Sequence, residues 1–311
     1  MSGGLRAAAM PVAQQLRTRE VRAATRTMSG VCNGTLGELF QGPVAHRGRA
    51  GIGVVSFPVD RYAWAHFTPG DGDLEPRPAL PKAAQCVRLF LQRYGLALPP
   101  GSWSTHSELH VGVGMASSTA DIVATLRCLF QVFDLPYDLT AVIDILSRIE
   151  RADSVFLDES ALYLSDRHEV VQRLGTSVGF HTCFVVEPGA VDTAAVTPLL
   201  QEHYRRNRTA YQACLDDLRA AFRSGDIAGV ARAATISAAL SQEVLPKITY
   251  DAVLAHRRYF GADGVFVAHT GRLIGYLFAT RLARRRMDEL SAFFRELGHQ
   301  CSFAWGGHGG A

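Results

Sequence analysis

The chain has 311 residues, 48% of them hydrophobic and 20% charged, and its 32 basic and 29 acidic side chains leave a net charge of +3. That composition belongs to a soluble globular protein of two domains or one large one, and the charge is too small to argue for a nucleic acid or a membrane surface as partner. Six scattered cysteines, with no C-x-x-C and no Cys/His pairing at zinc spacing, are expected to be buried reduced thiols in a cytoplasmic protein, and no apolar run approaches the roughly 18–20 residues of a spanning helix.

Residues 1–27 carry Arg6, Arg17, Arg19, Arg22 and Arg26 against one acid, Glu20. Transit peptides share that composition, but the first recognisable motif begins after Met28, so a disordered extension is expected. Two strands with turns are predicted over 29–68: Ser29–Asn33, then Gly53–Phe67, which alternates and is rich in Val and aromatic residues. Pro69, Gly70, Gly72, Pro76 and Pro78 mark a loop. Pro81 opens a helix that runs to Tyr94 and stops at Gly95. Trp103–Val111 reads as a strand feeding a glycine- and serine-rich loop. The helix behind that loop repeats Ile122, Leu126, Leu129, Phe130 and Phe133 at helical spacing, with Ser118 and Asp121 as a capping-box-like pair and Pro136 beyond its end. A further helix is predicted over 139–150.

Phe180–Glu187 is an apolar strand closed by Pro188-Gly189, and the domain boundary is expected there, giving units 28–187 and 188–311. Two long helices follow, about 199–223 and 226–243, with Asp226 as N-cap of the second. Residues 264–268 and 272–279 read as a hairpin, followed by a helix over 281–297, a strand over 300–305 and a frayed end at Gly306–Gly310. The pattern is α+β.

The chemistry concentrates in Gly112, Val113, Gly114, Met115, Ala116, Ser117, Ser118 and Thr119. Glycines let a backbone approach an anion closely, paired hydroxyls can ligate a metal or a phosphate, and the helix behind directs its positive end at the same place. A phosphate cradle, and so an ATP-dependent enzyme, is the leading reading; a capped helix after a tight turn is the structural alternative. No lysine follows the glycines as a Walker A motif requires, and Ser117 replaces the third glycine of a dinucleotide fingerprint. Gly175-Thr176-Ser177-Val178-Gly179 matches G-x-S-x-G, but an apolar strand follows it where a nucleophile elbow needs a helix.

The run Gly114-Met115-Ala116-Ser117-Ser118-Thr119-Ala120-Asp121 resembles the second motif of the GHMP kinases, with Ala116 where their second glycine usually stands. That variant resembles the L-threonine kinases of cobalamin side-chain synthesis. Gly34-Thr35-Leu36-Gly37-Glu38-Leu39-Phe40-Gln41-Gly42, the stretch from Ala234 to Lys247, and Gly264–Gly271 resemble other motifs of that branch, in register, and Asp192-Thr193 resembles it with no role attached. The resemblance implies a two-domain GHMP kinase fold: an N-terminal domain like ribosomal protein S5 domain 2, a ferredoxin-like C-terminal domain, and the active site between them.

It also implies ATP and Mg2+ as cofactors and a small hydroxy amino acid, L-threonine foremost, as the partner substrate. Serine, homoserine, another small alcohol, or a non-catalytic ligand-binding relative remain open, and a homodimer is compatible with the chain. By the same resemblance Ser118 ligates the metal, with Glu150 as second ligand. Asp153 contacts the acceptor hydroxyl, as base or as orienting group. Glu38 and Gln41 line the acceptor pocket, and His269, Thr270 and Gly271 form the third-motif loop near phosphates and substrate.

Overall fold

A computed structural model describes residues 26–189 and 193–308. The expectations for residues 1–25, Asp192, Gly309 and Gly310 lie outside the described residues. Strands β1 (Met28–His46) and β2 (Arg49–Asp73) form one long antiparallel hairpin, from Met28↔Phe67 to His46↔Arg49. Its turn residues Arg47 and Gly48 both have positive φ, 49° and 73°, the handedness that matches strand twist. The glycine-rich stretch expected to turn is instead strand, with register shifts between Asn33 and Phe40. The loop expected from Pro69 begins only after Asp73.

Helix α1 (Pro81–Tyr94) starts and stops as predicted, with Gly95 at φ 64° closing it through a bond to the Leu91 carbonyl. Strand β3 (Gly101–Ser107) pairs with the outer half of β2, and the loop leads into α2 (Ser117–Val132), which packs along β1. Helix α3 (Leu139–Ser147) is shorter than predicted. Its early end releases residues 148–153 to run back towards the start of α2.

Strands β4 (Ser160–Leu164) and β5 (Glu169–Gly175) form a second hairpin against β2, followed by β6 (Gly179–Val186). Helices α4 (Thr193–Arg206) and α5 (Arg208–Ser224) replace the single helix predicted over 199–223. Asn207 leaves helical geometry between them (φ −102°, ψ 19°), a break that apolar spacing does not register. Helix α6 (Ile227–Ser241) is capped as expected, Asp226 accepting the Gly229 N–H at 2.8 Å.

Then come α7 (Tyr250–His256), the hairpin β7 (Gly264–Val267) and β8 (Leu273–Phe278), α8 (Arg284–Glu296) and β9 (Ser302–Gly307). Gly306 and Gly307, expected in a frayed end, belong to β9. They pair with Phe180 and Gly179, and a Cβ at Gly306 would lie 2.5 Å from the Phe57 ring.

Among the described residues every strand pairing is antiparallel, and six strands close a ring: β1–β7–β8–β6–β9–β2–β1. Two joins of that ring are single rungs, Glu38↔Val267 and Val59↔Gly306. Both edges of β6 are taken by β8 and β9, strands from beyond residue 187. Phe57, Phe180 and Phe266 meet edge to face inside the ring, and a smaller cluster around Phe260, Tyr276, Leu290 and Phe294 packs α7 and α8 on the outer face.

Candidate active site

The loop 112–116 is clamped on its inner side. The amides of Thr35 and Gly37 donate to the carbonyls of Met115 and Gly114, each at 3.0 Å, and the Arg272 amide donates to the Val113 carbonyl at 2.8 Å. In a trans peptide the N–H points away from the C=O. The amides of Gly114, Met115 and Ala116 therefore face the opposite, outer side. Glycine is required twice for this fit. Gly114 (φ 100°) would put a Cβ 2.4 Å from that of Ala268, and Gly37 (φ 71°) would put one 2.5 Å from the Ala268 Cα.

Ala116 is the N-cap of α2, in the left-handed region at φ 52°, ψ 30°, with no side-chain cap. The first helical bond runs from Ala120 N–H to the Ala116 carbonyl at 2.9 Å, so the amides of Ser117, Ser118 and Thr119 have no partner in the helix. Outward loop amides and the helix's positive end converge, as an anion site requires. An L-residue in this conformation costs about 1–2 kcal/mol, and glycine is also the better N-cap. Ala116→Gly is expected to raise the melting temperature by about 2–4 °C with ATP affinity kept, checked by calorimetry with and without nucleotide.

The capping box predicted for Ser118 and Asp121 is not formed. The Ser118 hydroxyl donates to Glu150 Oε2 at 2.8 Å, and the Thr119 hydroxyl to Glu150 Oε1 at 2.8 Å. Lys82 Nζ, from the first turn of α1, also lies on Oε2 at 2.5 Å. Glu150 thus wins both hydroxyls from the helix backbone. Burial and the Glu150 charge push Asp121 up to about 6. Ser118 Oγ and a Glu150 oxygen in contact are hard oxygen donors, which fit Mg2+. Among the described residues no group of three or more His, Cys, Asp or Glu side chains could hold a metal. Mg2+ takes one or two protein ligands and leaves the rest to phosphates and water.

Three residues on, Asp153 is pushed up to about 7, first by burial and next by the Glu38 charge. Glu150 adds to the shift; Arg151 and a hydrogen bond from Ser56 oppose it. Glu38 is itself buried. Its Oε2 accepts the His269 backbone N–H at 2.9 Å and lies 3.1 Å from His269 Nδ1. The other ring nitrogen meets the Ser237 hydroxyl at 2.9 Å, and Ser237 Oγ accepts the Gln41 N–H at 3.3 Å. This network assigns the Ser237 proton to His269 Nε2 and the ring proton to Nδ1, facing Glu38. Both His269 nitrogens are therefore engaged within the protein.

Gln41 is buried and its side chain donates to the Tyr204 hydroxyl at 2.8 Å, tying β1 to α4. Thr270 is half-buried in the β7–β8 turn, and the Gly271 N–H donates to the Ala268 carbonyl at 3.2 Å. The structure thus brings Ser118, Glu150, Asp153, Glu38 and His269 into one charge-coupled line from the loop, while Gln41 lies on its far side.

One residue here ends a motif-like stretch of the sequence without a role read for it. Lys247 follows α6 and is buried; burial holds its ammonium down to about 8, against the pull of Glu187 and Glu38 and with the push of Arg272. The resemblance of Ala234–Lys247 to a motif says nothing of its burial, which the fold shows.

A family model, GHMP kinases N terminal domain, matches residues 81–163, from the start of α1 into β4, and so contains the loop, Ser118, Glu150 and Asp153. The chain is 27% identical to the L-threonine kinase of Citrobacter freundii over 261 residues, covering 83% of this chain and 87% of that protein. It is 26% identical to the L-threonine kinase of Salmonella typhimurium over 275 residues, covering 83% of each. A homoserine kinase structure from Cytophaga hutchinsonii superposes with a TM-score of 0.68 at 13% identity, covering 93% of this chain and 98% of that one. The clamped loop and these matches agree: residues 81–163 belong to the GHMP kinase N-terminal domain family, and the chain is similar to kinases of that superfamily over most of its length.

Proposed function

We propose that this protein transfers the γ-phosphoryl group of ATP to the side-chain hydroxyl of a free hydroxy amino acid, L-threonine first among them. The observation that carries the reading is the convergence of Glu150 with Ser118 at the start of α2, with Asp153 charge-coupled to Glu150 and Glu38. The similarity to L-threonine kinases supports the acceptor.

The outward amides of residues 114–119 hold the donor phosphates. Ser118 and Glu150 hold Mg2+, which when bound neutralises charge on the phosphate oxygens. Asp153 receives the proton of the acceptor hydroxyl as the new O–P bond forms and the bond to the ADP oxygen breaks. A carboxylate titrating near 7 is matched to that task at neutral pH. Glu38, fixed by His269, sets the charge around Asp153 and lines the acceptor pocket.

The test is ADP release from ATP and Mg2+ against a panel of hydroxy amino acids and small alcohols. Turnover with L-threonine, lost in Ser118→Ala, is the expected result. Turnover with serine, homoserine or another alcohol alone would keep the kinase and replace its acceptor. ATP binding without turnover of any acceptor would overturn the reading in favour of a binding protein.

A further inference from the structure

Lys247 is a buried cation that the phosphoryl-transfer machinery does not use. Only 4% of its surface is exposed. Its ammonium carries three donors, and the bond it makes goes to the Leu245 carbonyl at 3.1 Å. Among the described residues no carboxylate oxygen lies within 4.0 Å of it.

The two carboxylates that feel its charge are already committed. Glu187 Oε2 accepts the Ile248 N–H at 2.9 Å, and Oε1 accepts the Thr249 N–H and hydroxyl, both at 2.8 Å. Glu38 spends Oε2 on His269. Arg272 adds a second positive charge, with its Nε buried and without a hydrogen-bond partner. Its backbone N–H holds the Val113 carbonyl of the phosphate loop. Among the described residues a buried ammonium and the buried Nε of a half-buried guanidinium thus lack an anion, and a buried charge without one is costly.

Glu38 orders the charges. A chain of hydrogen bonds also ties the Lys247 segment to the phosphate loop, since Glu187 holds the Ile248 and Thr249 amides by its side chain and donates its own N–H to the Arg272 carbonyl at 2.8 Å, and the Glu38 charge reaches both Asp153 and Lys247. A small dipolar ligand with a hydroxyl at one end and an anion at the other matches that order. Resting on the hydroxy amino acid reading above, we propose that Lys247, with Arg272 as supporting charge, binds the α-carboxylate of the acceptor and restricts the enzyme to acceptors that carry one. The free Glu38 oxygen then suits the α-ammonium between the two ends. Arrival of a carboxylate also relieves the desolvation that holds Lys247 low.

The experiment compares L-threonine, L-threoninamide and 1-amino-2-propanol as acceptors for wild type, Lys247→Met, Lys247→Gln and Lys247→Arg. Wild type is expected to favour L-threonine over both neutral-ended analogues by at least about 100-fold in kcat/KM. Both neutral variants should lose that preference through a raised KM for L-threonine, with KM for ATP and turnover of the analogues unchanged. Lys247→Arg should recover part of it. A lysine that merely braces the 242–249 segment would lower turnover of all three acceptors alike, and that result overturns the proposal. Preference retained in Lys247→Met and Lys247→Gln overturns it too, with the hydroxy amino acid reading left standing. Wild type that turns over the analogues as well as L-threonine removes carboxylate selection. Wild type inactive on every hydroxy amino acid removes the substrate reading and this proposal together.

Discussion

Asp153→Asn is expected to lower kcat about 10²–10⁴-fold while raising the melting temperature at pH 8. The two effects share one cause. Burial and the Glu38 charge raise Asp153 from 3.8 to about 7, so the folded protein binds this proton more tightly than the unfolded chain does. The stability it contributes is fully present below pH 3.8 and is lost as pH rises through 7. At pH 8 the ionised carboxylate is a burden on the fold, and asparagine removes that charge at nearly constant shape. At pH 4 the carboxyl is already protonated and the gain should vanish. Calorimetry at pH 8 and pH 4 checks the stability, and equal melting shifts at both pH values would refute the assigned cause. In wild type the acid limb of the kcat profile should rise through about 7. A loss in kcat of less than tenfold would make Asp153 an orienting group and leave proton removal to solvent or phosphate.

Glu150→Gln should raise the Mg2+ concentration for half-maximal activity by about 10–100-fold, the range for groups that tune a metal site. The amide keeps contact with Ser118 and Thr119 but loses the charge that a cation and Lys82 both seek. A second effect follows from the same substitution. Glu150 helps raise both Asp121 and Asp153, so its neutralisation should move the acid limb of the pH profile to lower pH. A Mg2+ titration combined with pH profiles checks both. An unchanged Mg2+ requirement would place the metal elsewhere.

Local chemistry made some of this architecture readable from the sequence. Pro81 and Gly95 bracket α1 because each has a backbone preference that a helix end uses. Asp226 caps α6 for the same kind of reason. Where a residue had two uses, the sequence misleads. Gly34, Gly37 and Gly42 look like turn residues, yet Gly37 serves to let β1 approach Ala268 inside a continuous strand. Ser118 and Asp121 have capping-box spacing, yet Ser118 turns to Glu150, 32 positions away. Strands β4 and β5 left no clear pattern, since Ser160–Leu164 is buried on both faces and so does not alternate.

The site divides along the same line. The loop and the candidates Ser118, Glu150 and Asp153 sit close to one another in sequence and carry recognisable spacing. The link from Glu38 to His269 spans 231 positions, and that from Glu187 to Thr249 spans 62. Neither has any local signature: strand pairing sets β1 beside β7, and the segment between α6 and α7 folds back to bring Thr249 onto Glu187.

The ring of strands has a mechanical consequence. Its two single-rung joins both lie on the long hairpin, one on each strand. A ladder of one rung has few backbone bonds, so each seam leans on the side chains that cross it, as where Glu38 accepts the His269 N–H. Glu38 is the rung residue of one seam and also a wall of the proposed acceptor pocket. Glu38 therefore stitches that seam twice, through its backbone rung to Val267 and through its carboxylate to His269, so the residue that would touch a ligand is also the one that holds the join.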